Sequence, residues 1–219
     1  SIDEVLRAMD ADFEGDYNQE IHQHLLDAPK FGNDDSEEAH HWVNRVLQLW
    51  VDALRDTDHP SRDGKYVAGY YGLNANMVYG RRTPSLPSGR LIGVPLANSI
   101  GPHYGMQMVD LTSALNSVAK VDFGKYAPNG TTVTSTIDTG LFPGESGIKN
   151  LAGLIKGYFN QGGMQFQPNL VNRELLLDAY RNPGKHRDLV VRIAGYCAYF
   201  DDLSDELKRE IIDRSYYTF

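Results

Sequence analysis

Residues 189–200 read Leu189-Val190-Val191-Arg192-Ile193-Ala194-Gly195-Tyr196-Cys197-Ala198-Tyr199-Phe200, and the rest of the chain is read outward from them. A β-branched, apolar run stops at Gly195 and resumes in aromatic residues. Such runs favour strands, and a glycine inside one marks a turn or a close approach of backbone. The simpler reading is a turn after a strand. The other reading gives Gly195 a chemical role. A radical on a backbone α-carbon is stabilised by delocalisation into the amide nitrogen on one side and the carbonyl on the other. That needs a flat α-carbon, and only glycine has no side chain to crowd it.

Upstream, Asn182-Pro183-Gly184 breaks a helix predicted over Arg173 to Arg181. Before it, Gly162-Gly163 lead into a strand predicted over Gln165 to Val171. Gly147 to Asn160 reads as a helix with Leu151, Leu154, Ile155 and Tyr158 inward, and Thr131 to Ile137 as a strand. Downstream, Ser204 is placed to cap a last helix that buries Leu207, Ile211 and Ile212. At the other end, Ser1 and Glu4 have the form of a capping box, with Ile2, Val5, Leu6 and Met9 on one helical face. A second helix is expected near Asn18 to Leu26 and a third from Ser36 to Arg55. In the third, Trp42, Val46, Leu49, Trp50, Ala53 and Leu54 form a wide apolar stripe. These helices are expected to pack against strands of the fold.

Lys65 to Leu73 could be a strand. The roughly thirty residues that follow have no period and are punctuated by Pro84, Pro87, Pro95 and Pro102. Their apolar content argues for a buried or interface-covering segment. The chain has 219 residues and a net charge of −8, with both signs mixed along it. That argues against a nucleic-acid surface. No apolar run is long enough to cross a membrane, and Ser1-Ile2-Asp3-Glu4 does not read as a signal peptide. A single cysteine excludes an internal disulfide. A reducing cytoplasm is the expected location.

Taken together these segments resemble, in the same order, the glycyl radical enzymes of the pyruvate formate-lyase and glycerol dehydratase type. Arg192-Ile193-Ala194-Gly195-Tyr196 matches the family's radical-bearing motif. Thr83 to Asn98 (TPSLPSGRLIGVPLAN), Leu115 to Asp122 (LNSVAKVD), Asn129-Gly130, Asn150-Leu151-Ala152 and Ala28 to Asp34 (APKFGND) match further segments. Ser88 stands where the family usually has aspartate. Pro168 stands where it tends to have an aromatic, and the strand there is expected to bulge.

The resemblance implies an α/β fold: the C-terminal portion of a ten-stranded α/β barrel, completed by another chain or segment. Residues 1–172 would be the C-terminal part of the lyase barrel with flanking helices, and 173–219 the glycyl radical domain. Gly195 would store the radical, with Arg192 and Tyr196 positioning its loop. No metal and no bound cofactor are expected in the chain. A separate activating enzyme, using S-adenosylmethionine and an iron–sulfur cluster, would install the radical. The family's second radical site is a cysteine on a loop N-terminal to everything present here. A partner chain or segment carrying that loop, and a small-molecule substrate, are therefore implied. The chain would be a fragment, a separately encoded radical-bearing subunit, or a non-catalytic repair module that replaces an oxygen-damaged C-terminus. Some 130 residues ahead of Arg173 favour the subunit over the module.

The remaining candidates have plainer readings. Cys197 is expected to be a buried thiol acting as a small hydrophobe, with a radical relay as the alternative. His22 with His24, and His40 with His41, lack ligand spacing and are expected to be solvated. Arg81, Arg82 and Arg90 could meet an acidic substrate or a partner chain.

Overall fold

The computed structural model describes residues 1–33, 36–57, 61, 63–72, 75–103, 110–193 and 196–213. Helices α1 (Ile2–Asp10), α2 (Asp16–Asp27) and α3 (Glu37–Arg55) open the chain, followed by the short α4 (Ala75–Gly80). Then come α5 (Leu111–Ala119), α6 (Phe123–Tyr126), strand β1 (Thr134–Asp138) and α7 (Gly144–Asn160). Strand β2 (Gln167–Val171), α8 (Arg173–Arg181), strands β3 (Val190–Arg192) and β4 (Cys197–Tyr199), and α9 (Asp205–Asp213) complete it. The mixture of helix and sheet agrees with the expected class.

Local chemistry sets most boundaries. Ser1 and Glu4 form the capping box, Ser36 accepts from the Ala39 N–H, and Asn172 accepts from the Leu175 N–H at 3.0 Å. Such caps satisfy amides that have no partner within the helix. Asp110 does the same for α5, accepting from the Ser113 N–H at 2.8 Å.

The larger core forms around α5. Leu111, Ala114, Leu115, Val118 and Ala119 are buried there with Val121, Phe123, Val133, Ile137 and Tyr158. Val43, Leu47 and Val51 of α3 and Leu151 and Leu154 of α7 pack against it. Strands β1 and β2 pair in parallel, Thr134 opposite Gln167 through Asp138 opposite Val171. The register runs unbroken through Ser135 opposite Pro168, so the expected bulge is absent from this pair. β1 is the only hydrogen-bonded neighbour of β2 among the described residues, and a residue without an N–H is tolerated on such an edge.

Three further expectations are corrected. Residues 65–72 form no strand; Tyr70 makes an isolated parallel bridge to Thr131. On α3 the residues that meet the core are Val43, Leu47 and Val51, while Trp42, Val46, Leu49 and Trp50 of the expected stripe face solvent. His40 is buried rather than solvated. Its Nδ1 lies 2.6 Å from the Ser36 carbonyl oxygen. Its Nε2 lies 2.9 Å from the Ser117 hydroxyl and 3.2 Å from the Ser117 carbonyl oxygen. Ser117 Oγ in turn accepts from the Gly32 N–H at 2.9 Å.

The unpatterned segment after α4 is ordered by one buried cation. Arg90 Nη2 donates to the Gly80 and Val94 carbonyls, both at 2.6 Å. Its Nη1 donates to the Pro84 carbonyl at 2.9 Å and its Nε to Val94 at 3.0 Å. A Cβ on Gly80 would stand 2.5 Å from the Val94 carbonyl oxygen, so the close approach of these two backbones requires glycine. Burial lowers the Arg90 pKa, and Asp12 opposes that shift.

Candidate functional site

Arg192 and Tyr196 belong to a hairpin. β3 and β4 pair antiparallel, with Val190 opposite Tyr199, Val191 opposite Ala198 and Arg192 opposite Cys197. The Ile193 N–H donates to the Tyr196 carbonyl at 3.0 Å at the narrow end, and the Phe200 N–H donates to the Leu189 carbonyl at 2.8 Å at the wide end. Ala194 and Gly195, which link Ile193 to Tyr196, lie outside the described residues.

Strand alternation gives the hairpin two unlike faces. Val191 and Ile193 are buried in a second, smaller cluster with Leu176 and Ala179 of α8, Phe200, and Ile211 and Ile212 of α9. That core seats the hairpin. Val190, Arg192, Cys197 and Tyr199 lie on the opposite, exposed face. Cys197 is therefore not the buried thiol expected: alternation places it on the outer face beside Arg192, whose Nη1 lies 3.6 Å from its Sγ. Tyr196, at the narrow end, is 48% exposed.

The chain leading into the hairpin is tied down by charge. Asp178, on the last turn of α8, accepts from Lys185 Nζ and His186 Nε2, each at 2.6 Å. Lys185 first, then His186, hold its pKa at about 2. Asp201 accepts from the Gly184 N–H at 2.9 Å, and Lys208 Nζ donates to the Asp201 carbonyl at 3.0 Å.

Val171 of β2 packs on the core of this unit, and polar contacts among the described residues also join it to the rest of the chain. Asn169 of β2 is buried and donates from Nδ2 to the Arg192 carbonyl at 3.0 Å. Asn76 Nδ2 lies 3.4 Å from Glu210 Oε1. Arg81 makes an ion pair with Glu206. Of the three arginines singled out in sequence, then, Arg81 reaches α9, Arg90 holds backbone, and Arg82 is exposed. His22 also departs from the solvated reading: it stacks on Phe13 at 4.4 Å between ring centroids and donates to the Gly89 carbonyl at 2.7 Å. Sequence reasoning missed Asn169 and Asp178. An amide in the middle of the strand Gln167–Val171 was the available sign of the first. The second gave none, because Lys185 and His186 meet it only after the chain turns at Asn182-Pro183-Gly184.

Comparison with known proteins places these residues in context. A family model described as "Glycine radical" matches residues 96–201, and one described as "Pyruvate formate lyase-like" matches residues 1–80. The trans-4-hydroxy-L-proline dehydratase of Clostridioides difficile is 33% identical over 221 residues, which take in 100% of this chain and 27% of that protein. Formate acetyltransferase 1 of Escherichia coli (strain K12) is 32% identical over 227 residues, 98% of this chain and 27% of that protein. The glycerol-bound form of the B12-independent glycerol dehydratase from Clostridium butyricum is similar in structure, with a TM-score of 0.86 at 34% identity. The match covers 97% of this chain and 26% of that one. The chain thus spans about a quarter of the length of the relatives it matches.

Proposed function

The chain belongs to the glycyl radical enzyme family and carries its radical domain, and from that premise we propose that it is the radical-storing part of a glycyl radical lyase, with the radical on Gly195. In this reading residues 1–172 contribute to the lyase barrel, residues 173–219 form the glycyl radical domain, and a cysteine carried by the rest of the enzyme attacks the substrate. The observation that carries the reading is the hairpin. Arg192, Ile193 and Tyr196 of the motif stand at its narrow end, and one face is anchored in a core while the other is left open.

The hydrogen bookkeeping is closed. A radical S-adenosylmethionine activating enzyme takes one hydrogen atom from the Gly195 α-carbon. The glycyl radical then takes the hydrogen of the cysteine thiol, which restores glycine and leaves a thiyl radical. The thiyl takes a hydrogen from the substrate carbon. The substrate radical eliminates a group, loses carbon dioxide or splits a carbon–carbon bond. The product radical recovers the hydrogen from the thiol, and the thiyl recovers one from Gly195. Each exchange breaks one bond to hydrogen and makes another, so no external oxidant is consumed after activation.

What this chain's described residues contribute is placement. Ile193 and Val191 fix the inner strand in the core. The Asn169 amide holds the Arg192 carbonyl, three residues before the glycine. Arg192 and Tyr196 flank the radical position as positioning residues. The repair-module alternative gains less support, because most of the chain builds a separate core around α5 that such a module does not need.

The test is anaerobic activation of the chain together with the cysteine-bearing remainder of the enzyme. Electron paramagnetic resonance should show an organic doublet split by the one remaining α-hydrogen, and deuterated glycine should collapse the splitting. Gly195→Ala should abolish both signal and turnover. Turnover without a glycine-derived doublet would refute the assignment.

A further inference from the structure

Helix α3 has more apolar surface than its own chain covers. At about 100° per residue, Ala39, Val43, Leu47, Val51 and Leu54 fall on one side, and Trp42, Val46, Leu49, Trp50 and Ala53 on the side adjoining it. Together they sweep an arc of about 200°, against the stripe of about 100° that a surface helix needs to face one core. Apart from the buried His40, the polar residues, among them His41, Arg45, Gln48, Asp52 and Arg55, lie within the remaining ~160° of the circumference. Only the first half of the apolar arc is used: Val43, Leu47 and Val51 pack on the core around α5. In the second half Trp42 is 59% exposed, Val46 62%, Leu49 61% and Trp50 52%. A helix with this pattern is a middle layer, built to be covered from two directions.

We propose that the second half of this arc is the docking surface for the remainder of the lyase, the part of the enzyme that carries the cysteine; the inference rests on the reading of the chain under Proposed function. Size argues for this occupant. The chain aligns along its whole length with a relative of which it makes up 27%, so roughly three quarters of such an enzyme must seat against this quarter. A tryptophan side chain hides on the order of 200 Å² when covered, and two on one helix face make the kind of aromatic anchor on which stable interfaces rest. No helix among the described residues is long and apolar enough to span a membrane.

The chain contains two tryptophans, both on this face, so labelling it with 5-fluorotryptophan places two fluorine reporters there. The probe is the C. difficile trans-4-hydroxy-L-proline dehydratase from which the quarter aligned with this chain has been deleted, supplied unlabelled. The two polypeptides should co-elute on size exclusion. Both fluorine resonances should then shift and lose their sensitivity to exchange of H2O for D2O. Val46→Asp should weaken the association at least tenfold and leave the circular dichroism of the chain alone unchanged, whereas Arg45→Asp on the polar arc should leave the association intact. Co-elution with both indoles still wet, or indifferent to Val46→Asp, would overturn the surface assignment while leaving the role of Gly195 standing. Drying of the indoles in the chain alone as its concentration rises, with a doubling of mass, would assign the face to a second copy. Absence of any co-elution would overturn the surface together with the reading on which it rests.

Discussion

The body of the chain up to Val171 and the unit from Arg173 onward are held together on different terms. The body wraps α5, seven of whose nine residues are buried, and takes polar groups inside with it. His40 and Arg90 are enclosed, and backbone carbonyls and a serine answer their hydrogen bonds. The later unit rests on a smaller cluster, Leu176, Ala179, Val191, Ile193, Phe200, Ile211 and Ile212. Much of its remaining order comes from exposed charge around Asp178. The smaller core meets the body through Val171 and polar contacts, and a smaller core is expected to open at lower cost than a larger one. The hairpin is therefore predicted to open before the body does.

The largest expected effect breaks that comparison most directly. Leu176→Ala removes a fully buried side chain from the smaller core and should cost about 2–5 kcal/mol. Hydrogen-exchange protection should fall across residues 173–213 and stay high in α5. Equal loss in α5 would show that the two regions unfold as one. Asn169→Ala is next. It deletes the bond to the Arg192 carbonyl at the seam, worth about 1 kcal/mol. Exchange at the Ile193 and Phe200 amides should quicken while the pairing of β1 with β2 persists, and an unchanged hairpin would mean that the Asn169 amide does not hold the seam.

Cys197→Ala should do less. The thiol lies on the outer face of β4, and the reconstituted enzyme should keep at least roughly a tenth of its activity, a barrier change below about 1.4 kcal/mol. Complete loss with the glycyl signal intact would make Cys197 a relay. The smallest effect concerns acid. Asp178 sits at about 2 in the folded chain against an ordinary 3.8. Its stabilisation is therefore full above the unfolded value and is lost as pH falls from about 4 through about 2. Nuclear magnetic resonance should show the 182–188 segment loosening over that window and losing the dependence in Asp178→Asn. A segment that loosens at the same pH in both would assign the acid sensitivity to another carboxylate.

Much of the local structure was legible in the sequence, and the reason is local chemistry. Ser1 with Glu4, Ser36 and Asn172 stand within three residues of the amides they cap. The helix over Arg173 to Arg181 and the strand before Gly195 follow from periodicity and from the breakers around them. Lys65 to Leu73 misled because β-branched and aromatic residues favour a strand only where a neighbouring strand runs alongside, and here the Tyr70 bridge to Thr131 does not extend into a ladder. Pro168 misled in the opposite sense: the cost of a missing N–H depends on whether that edge is used.

By itself the sequence determined the helix over Arg173 to Arg181, the strand before Gly195, the family resemblance and the one glycine on which the chemistry is proposed to turn, because each depends on residues close together or on a motif read in order. It also determined that α3 has an apolar arc of about 200°. Which half of that arc the chain covers was decided only by the tertiary structure, as were the burial of His40 against Ser117, the enclosure of Arg90 by the carbonyls of Gly80 and Val94, and the outward turn of Cys197. Each depends on which surface a residue meets after the chain has folded back. Helical period and strand alternation name the residues that share a face, but only packing decides which face meets a core.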